Sequence, residues 1–323
     1  MSEQSRPTPF PEARPPHLPD VVTRQSPWLV FFAAVAVLQV WRSVQLLPPP
    51  GSGTDAGVVI NEVLSWIAHL APTVFALALF WRHPDARRTM PLLVFGLVLL
   101  AVGELLTVFA EPIRALLRTI TPSSDPEFVL DTPAEFAFRV FTLLLAIFAL
   151  LYVGAGLSSA RTRERGAVER PLAIWLVALG VVSTVLSLAG LATVGVEVTP
   201  MLVVQLVVGV ILSGLETLAW AYVAVVAIGG WISGDSPRRA WRLAAIGASA
   251  LYGLRLIVPV LGFIPFNPAA TPVYLIIAYV SYAGWLLLAA AFVLGLPAPT
   301  STPDAVEAMG DPPAGTQPGS AAG

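Results

Sequence analysis

The chain has no cysteine, and all eighteen of its basic side chains are arginine, so lysine is absent as well. Without cysteine there can be no disulfide, no thiolate nucleophile and no thiolate metal site. Without lysine there is no side-chain amine for a Schiff base. Charge of either sign is scarce: 12% of residues are charged, against about 25% in a soluble domain. A surface so poor in solvating groups must meet lipid over most of its area. The net charge of −2 is spread thinly, which excludes a nucleic-acid partner. Histidine occurs three times, at His17, His69 and His83. Only His69 falls inside an apolar run, too few for paired haem ligands or a histidine-rich zinc site, so no cofactor and no metal are expected. Sequence signatures of zinc proteases, serine hydrolases, P-loops and dinucleotide folds are missing too.

Long apolar runs are what the chain has in quantity. Hydrophobic residues make up 56% of it, and the mean hydropathy is +0.78. Crossing the hydrocarbon core takes ~20 apolar residues in a helix. Eight runs qualify: Trp28–Leu47, Val58–Trp81, Pro91–Phe109, Pro133–Leu157, Pro171–Leu191, Pro200–Ile232, Ala240–Phe263 and Pro272–Leu296. Four of them start at a hydroxyl residue followed by proline: Ser26-Pro27, Thr132-Pro133, Thr199-Pro200 and Thr271-Pro272. The hydroxyl caps an orphan N–H and proline suits the first helical turn. Thr132 with Glu135 adds a capping-box spacing. The expected fold is therefore all-α, a polytopic membrane domain of eight transmembrane helices over residues 27–296. Residues 1–26 and 297–323, rich in Pro, Ser, Ala and Gly, read as disordered tails. The first of these has a long, partly acidic start and no small-residue cleavage site, so it does not read as a signal peptide.

Arginine placement sets the expected orientation. Arg6, Arg14 and Arg24 precede the first span, and Arg82, Arg87 and Arg88 follow the second. Arg161, Arg163, Arg165 and Arg170 lie between spans four and five, and Arg238, Arg239 and Arg242 between six and seven. The other side holds only Arg114 and Arg118, so both termini are expected in the cytoplasm. Residues 110–132 form the expected extracytoplasmic loop. Within it Glu111–Thr121 puts Ile113, Leu116, Leu117 and Ile120 on one helical face, either as an interfacial helix or as an extension of span three. The acids Asp125, Glu127 and Asp131 that follow lack calcium-loop spacing and read as a solvated loop. A faint repeat also shows, since Arg87-Arg88, Glu169-Arg170 and Arg238-Arg239 each open an odd-numbered span. It suggests a tandem array of two-helix hairpins.

Candidate chemistry comes from polar residues inside the spans. Arg42, Glu62, Glu104, Arg139 and Arg255 sit on five spans at one expected depth, in the outer third of the bilayer. Isolated there, each would cost at least ~2.5–3.5 kcal/mol. They are expected to pair or to line an outward-facing pocket that binds an anionic small molecule or a lipid headgroup. His69 and Glu216 lie deeper, the chemistry of a proton relay or gate. Single spans carry polar stripes: Glu62, Ser65, His69 and Thr73 on span two, and Gln205, Gly209, Ser213 and Glu216 on span six.

The first functional expectation is a permease-like protein of a bacterial cytoplasmic membrane, its lysine-free, Ala/Val/Pro-rich usage matching a GC-rich genome. The second is an intramembrane enzyme acting on a lipid or peptide, with Glu216, His69 and Glu104 as catalytic acid/base groups or metal ligands. A third is a non-catalytic envelope scaffold in which the charges only fix helix register. The only partner common to all three is the lipid bilayer.

Overall fold

The computed structural model describes residues 27–46, 56–83, 86–120, 132–161, 168–191, 200–261 and 271–296. The two expected tails, the acidic residues 122–131 and Arg163 and Arg165 lie outside them. Among the described residues the chain is all-helical: α1 Pro27–Leu46, α2 Ala56–Arg82, α3 Ala86–Thr89, α4 Pro91–Val108, α5 Ala110–Ile120, α6 Pro133–Ser159, α7 Glu169–Leu191, α8 Pro200–Ser233, α9 Arg238–Leu261 and α10 Thr271–Val293.

Of the four hydroxyl–proline start signals, the one at Thr132 is described with its cap, while Ser26 and Thr199 lie outside the described residues. Proline opens α1, α4, α6 and α8. At the head of α6 the Thr132 hydroxyl accepts the Glu135 amide at 3.3 Å, and the Glu135 carboxylate accepts the Thr132 amide at 2.8 Å. Arg118 of α5 donates to the same carboxylate at 2.6 Å. Helix α5 separates from α4 at Phe109 and buries none of its residues, leaving Leu116 and Ile120 exposed. It is thus a helix of its own, with an apolar face that suits an interface.

Seven helices, among the described residues, are long and apolar enough to cross a bilayer. That is the make-up of a polytopic membrane protein. Helix α9 falls below this mark because it carries Arg238, Arg239, Arg242 and Arg255 among many alanines and glycines. It is nevertheless an interior helix, packed between α8 and α10 with Ala240, Trp241, Ala244, Ala245 and Ala248 fully enclosed. Trp241 lays its ring against Gly230 of α8.

The packing order closes on itself. Helix α2 contacts α4, α4 contacts α6, α6 contacts α8, α8 contacts α9, α9 contacts α10, and α10 returns to α2. Helix α1 covers α2 and α4 from outside, and α7 covers α8 and α9. Both outer helices expose apolar side chains such as Val37 and Trp41, or Ile174 and Trp175. The contacts of α1, α2, α4 and α6 therefore recur in α7, α8, α9 and α10, so the unit that repeats in the packing has four long helices where the sequence suggested two. Sequence register follows the same pairing: Gly96 and Glu104 lie eight and sixteen residues after Arg88, as Gly247 and Arg255 do after Arg239. A Cβ on Gly96 would meet the α6 backbone at Val153 N, 2.6 Å away, and one on Gly247 the α10 backbone at Gly284 O, 2.7 Å away. Each glycine lets its helix pair approach backbone to backbone.

At the arginine-rich end one buried cation ties three junctions. Arg161, after α6, makes a two-pronged contact with Glu169 of α7 at 2.7 and 2.6 Å and reaches Ser233 at the end of α8 at 3.0 Å and Asp235 just beyond it at 3.1 Å. Hydrogen bonding to the Glu169 carboxylate holds the Arg161 guanidinium above its ordinary pKa range against the opposing effect of burial. Arg161→Gln leaves two buried carboxylates without their cation, a loss of about 3–5 kcal/mol. The expected outcome is a clear drop in the thermal unfolding midpoint in detergent; an unchanged midpoint would remove Arg161 as the tie.

Candidate functional site

Inside the ring lies a cavity of about 360 Å³ to which all six ring helices contribute side chains. His69 comes from α2, Glu104 and Thr107 from α4, Thr142 and Leu143 from α6, Glu216 and Trp220 from α8, Arg255 from α9, and Ser281, Tyr282 and Trp285 from α10. A second chamber of about 190 Å³ lies between α8, α9 and α10 and shares Trp220, Arg255, Ser281 and Trp285 with the first. Arg255 stands between the two.

The four ionisable groups of the main cavity form two pairs. His69 Nδ1 lies 2.5 Å from Glu104 Oε2, too close for two lone pairs, so a proton is shared between them. Arg255 donates Nη2–H to Glu216 Oε1 at 2.5 Å. Glu216 is buried, and its Oε2 has no partner among the described residues. The His69 and Arg255 side chains keep 33% and 44% of their exposure, so the site is reachable and not sealed. Both pairs bridge equivalent helices of the two four-helix units, α2 with α4 and α8 with α9. Polarity is reversed between them: base then acid in the first, acid then base in the second.

His69 is held from behind. Pro72, buried within α2, has no N–H for the carbonyl of Ala68 and loosens this turn of the helix. Gln39 of α1, fully buried, donates to the neighbouring His69 carbonyl at 3.4 Å and accepts the Thr73 hydroxyl at 2.9 Å. Gln39 thus braces the turn at the His69 carbonyl, and His69 lies about 20 Å from the arginine-rich end at ~1.5 Å per residue. Towards that end the cavity is floored by aromatic rings. Trp220 meets Trp285 edge-on at 5.3 Å, Trp285 meets Phe75 at 6.2 Å, and Phe75 stacks on Phe292 at 4.9 Å.

Of the seven residues singled out from the sequence, four meet here: His69, Glu104, Glu216 and Arg255. Glu62 is half-buried on α2, within electrostatic reach of His69, but does not line the cavity. Arg42 on α1 is half-buried and donates to Gln45 at 3.3 Å, and its Nε has no partner among the described residues. Arg139 lies on the exposed side of α6. The sequence reading missed Trp220, Trp285, Tyr282 and Gln39. A signal existed for the two tryptophans, because both fall far from span ends, where tryptophan normally sits. Among the described residues no group of three or more His, Asp or Glu side chains is arranged to hold a metal ion. Comparison with known families, curated proteins and solved structures gives no match.

The arrangement can hold and move a proton at His69–Glu104 and present a half-satisfied carboxylate at Glu216 to whatever enters. His69→Gln and Glu104→Gln should be coupled in a double-mutant cycle of unfolding free energy by about 0.5–3 kcal/mol. Strictly additive single effects would mean that the two side chains do not meet.

Proposed function

We propose that the chain is a permease-like carrier of the bacterial cytoplasmic membrane, its axial cavity binding a small polar solute from the outside. One observation carries this reading: all six ring helices contribute to a single reachable cavity that contains two charged pairs. Buried ionisable groups cost too much inside a membrane to be common, and where they converge on a cavity they mark solute or proton pathways. The arginine distribution supports the orientation, with both termini in the cytoplasm, α9 as an eighth span and the cavity on the outer side. An even number of crossings per four-helix unit would bring both units in from the same side, the parallel-repeat arrangement known among carriers. The aromatic floor of Trp220, Trp285, Phe75 and Phe292 then serves as the inner gate.

The absence of cysteine makes the test direct. Ser281→Cys places a thiol in the cavity, and Ala76→Cys places one among the fully buried core residues. A membrane-impermeant thiol reagent added outside intact cells should label Ser281→Cys and not Ala76→Cys. Labelling of Ser281→Cys only from the cytoplasmic side, or not at all, would overturn the outward-facing cavity.

A further inference from the structure

On the carrier reading above, the charge of the cavity selects its ligand. In the state with a single ring proton, shared with Glu104, the His69–Glu104 pair carries −1 while Arg255 and Glu216 cancel. The main cavity then holds one net negative charge, and a second proton on His69 neutralises it. The expected excess of positive charge does not arise, because Arg42 and Arg139 do not line the cavity and Arg255 already serves Glu216. An anion entering here would add like charge in a medium of low dielectric, whereas a monovalent cation would bring the count to zero.

Three features define that cation. Glu216 Oε2, buried and without a partner among the described residues, calls for an N–H donor. Trp220, Trp285 and Tyr282 on the cavity wall offer π faces that attract ammonium. Ala68, Leu100, Leu143, Ala146 and Leu150 line the cavity beside the hydroxyls of Thr107, Thr142 and Ser281 and suit an apolar body. We infer that the axial cavity binds a protonated amine with an apolar body and exchanges it for a proton at the His69–Glu104 pair.

The groups facing His69 are consistent with a one-for-one exchange. Glu104 comes from α4, Glu216 and Arg255 lie across the cavity, and Tyr282 comes from α10. Glu62 on α2 itself adds negative charge. Helix α1 presents the neutral Gln39, with Arg42 one turn along it and bonded to Gln45. Binding of amine and binding of the second proton each satisfy the same single charge, so each weakens the other by linkage.

The experiment uses the full chain carrying Ser281→Cys in lipid nanodiscs. Protection of the thiol from reagent reports binding, and phenylethylammonium is compared with phenylpropionate, of similar size and opposite charge. The amine should protect at concentrations at least tenfold below those of the carboxylate. Its apparent affinity should rise up to tenfold per pH unit through the titration of His69. His69→Gln in the same background should bind the amine with no such pH dependence, and Glu216→Gln should lose at least tenfold in affinity. Stronger protection by the carboxylate, or the same pH slope in His69→Gln, would overturn the inference. Labelling without protection by the amine defeats the ligand class and leaves the cavity standing; no labelling at all defeats the carrier reading itself.

Discussion

A bilayer gives helices little hydrophobic reason to choose one neighbour over another, because lipid tails are as apolar as leucine. Ionisable side chains do supply a reason, since each must find a counter-charge or water away from lipid. In this chain His69 must meet Glu104, and Arg255 must meet Glu216. Those two requirements fix the rotation of α2 against α4 and of α8 against α9. The ring, its axial cavity and the chemistry inside it all follow from where these four side chains have to point.

The glycines then set how close the helices come. Gly96 of α4, against α6, and Gly247 of α9, against α10, allow backbone contact at equivalent positions of the two units. Close approach on those sides draws the helices round, and the contact of α10 with α2 completes the ring. The buried Arg161 cluster does the same work at the other end, where it joins the end of α6, the start of α7 and the turn after α8. One end of the molecule is thus tied by a satisfied network, while the middle keeps a carboxylate oxygen in reserve at Glu216.

Helix positions were legible in the sequence almost to the residue, because length, proline and hydroxyl caps act locally. Pro91–Phe109 became Pro91–Val108, and Thr132–Glu135 closed as a capping box. His69, Glu104, Glu216 and Arg255 were also legible as ionisable groups inside the apolar runs. Their pairing was not, because it depends on which helices are neighbours, and apolar surfaces carry little record of that. Depth alone grouped Arg42 and Arg139 with Arg255, yet they sit on other faces of their helices. The four-helix repeat escaped notice for a similar reason: Gly96 and Gly247 match in register, but only their contacts distinguish them from Gly209, which meets nothing.

Closure of the ring between α2 and α10 is the point on which everything else rests, since without it there is no axial cavity. In the cysteine-free background, Phe75→Cys and Phe292→Cys replace two rings whose centroids lie 4.9 Å apart. Treated in native membranes with a short bifunctional thiol reagent, the double variant should form an intramolecular bridge in high yield. Bridges only between separate chains, or none, would contradict the ring.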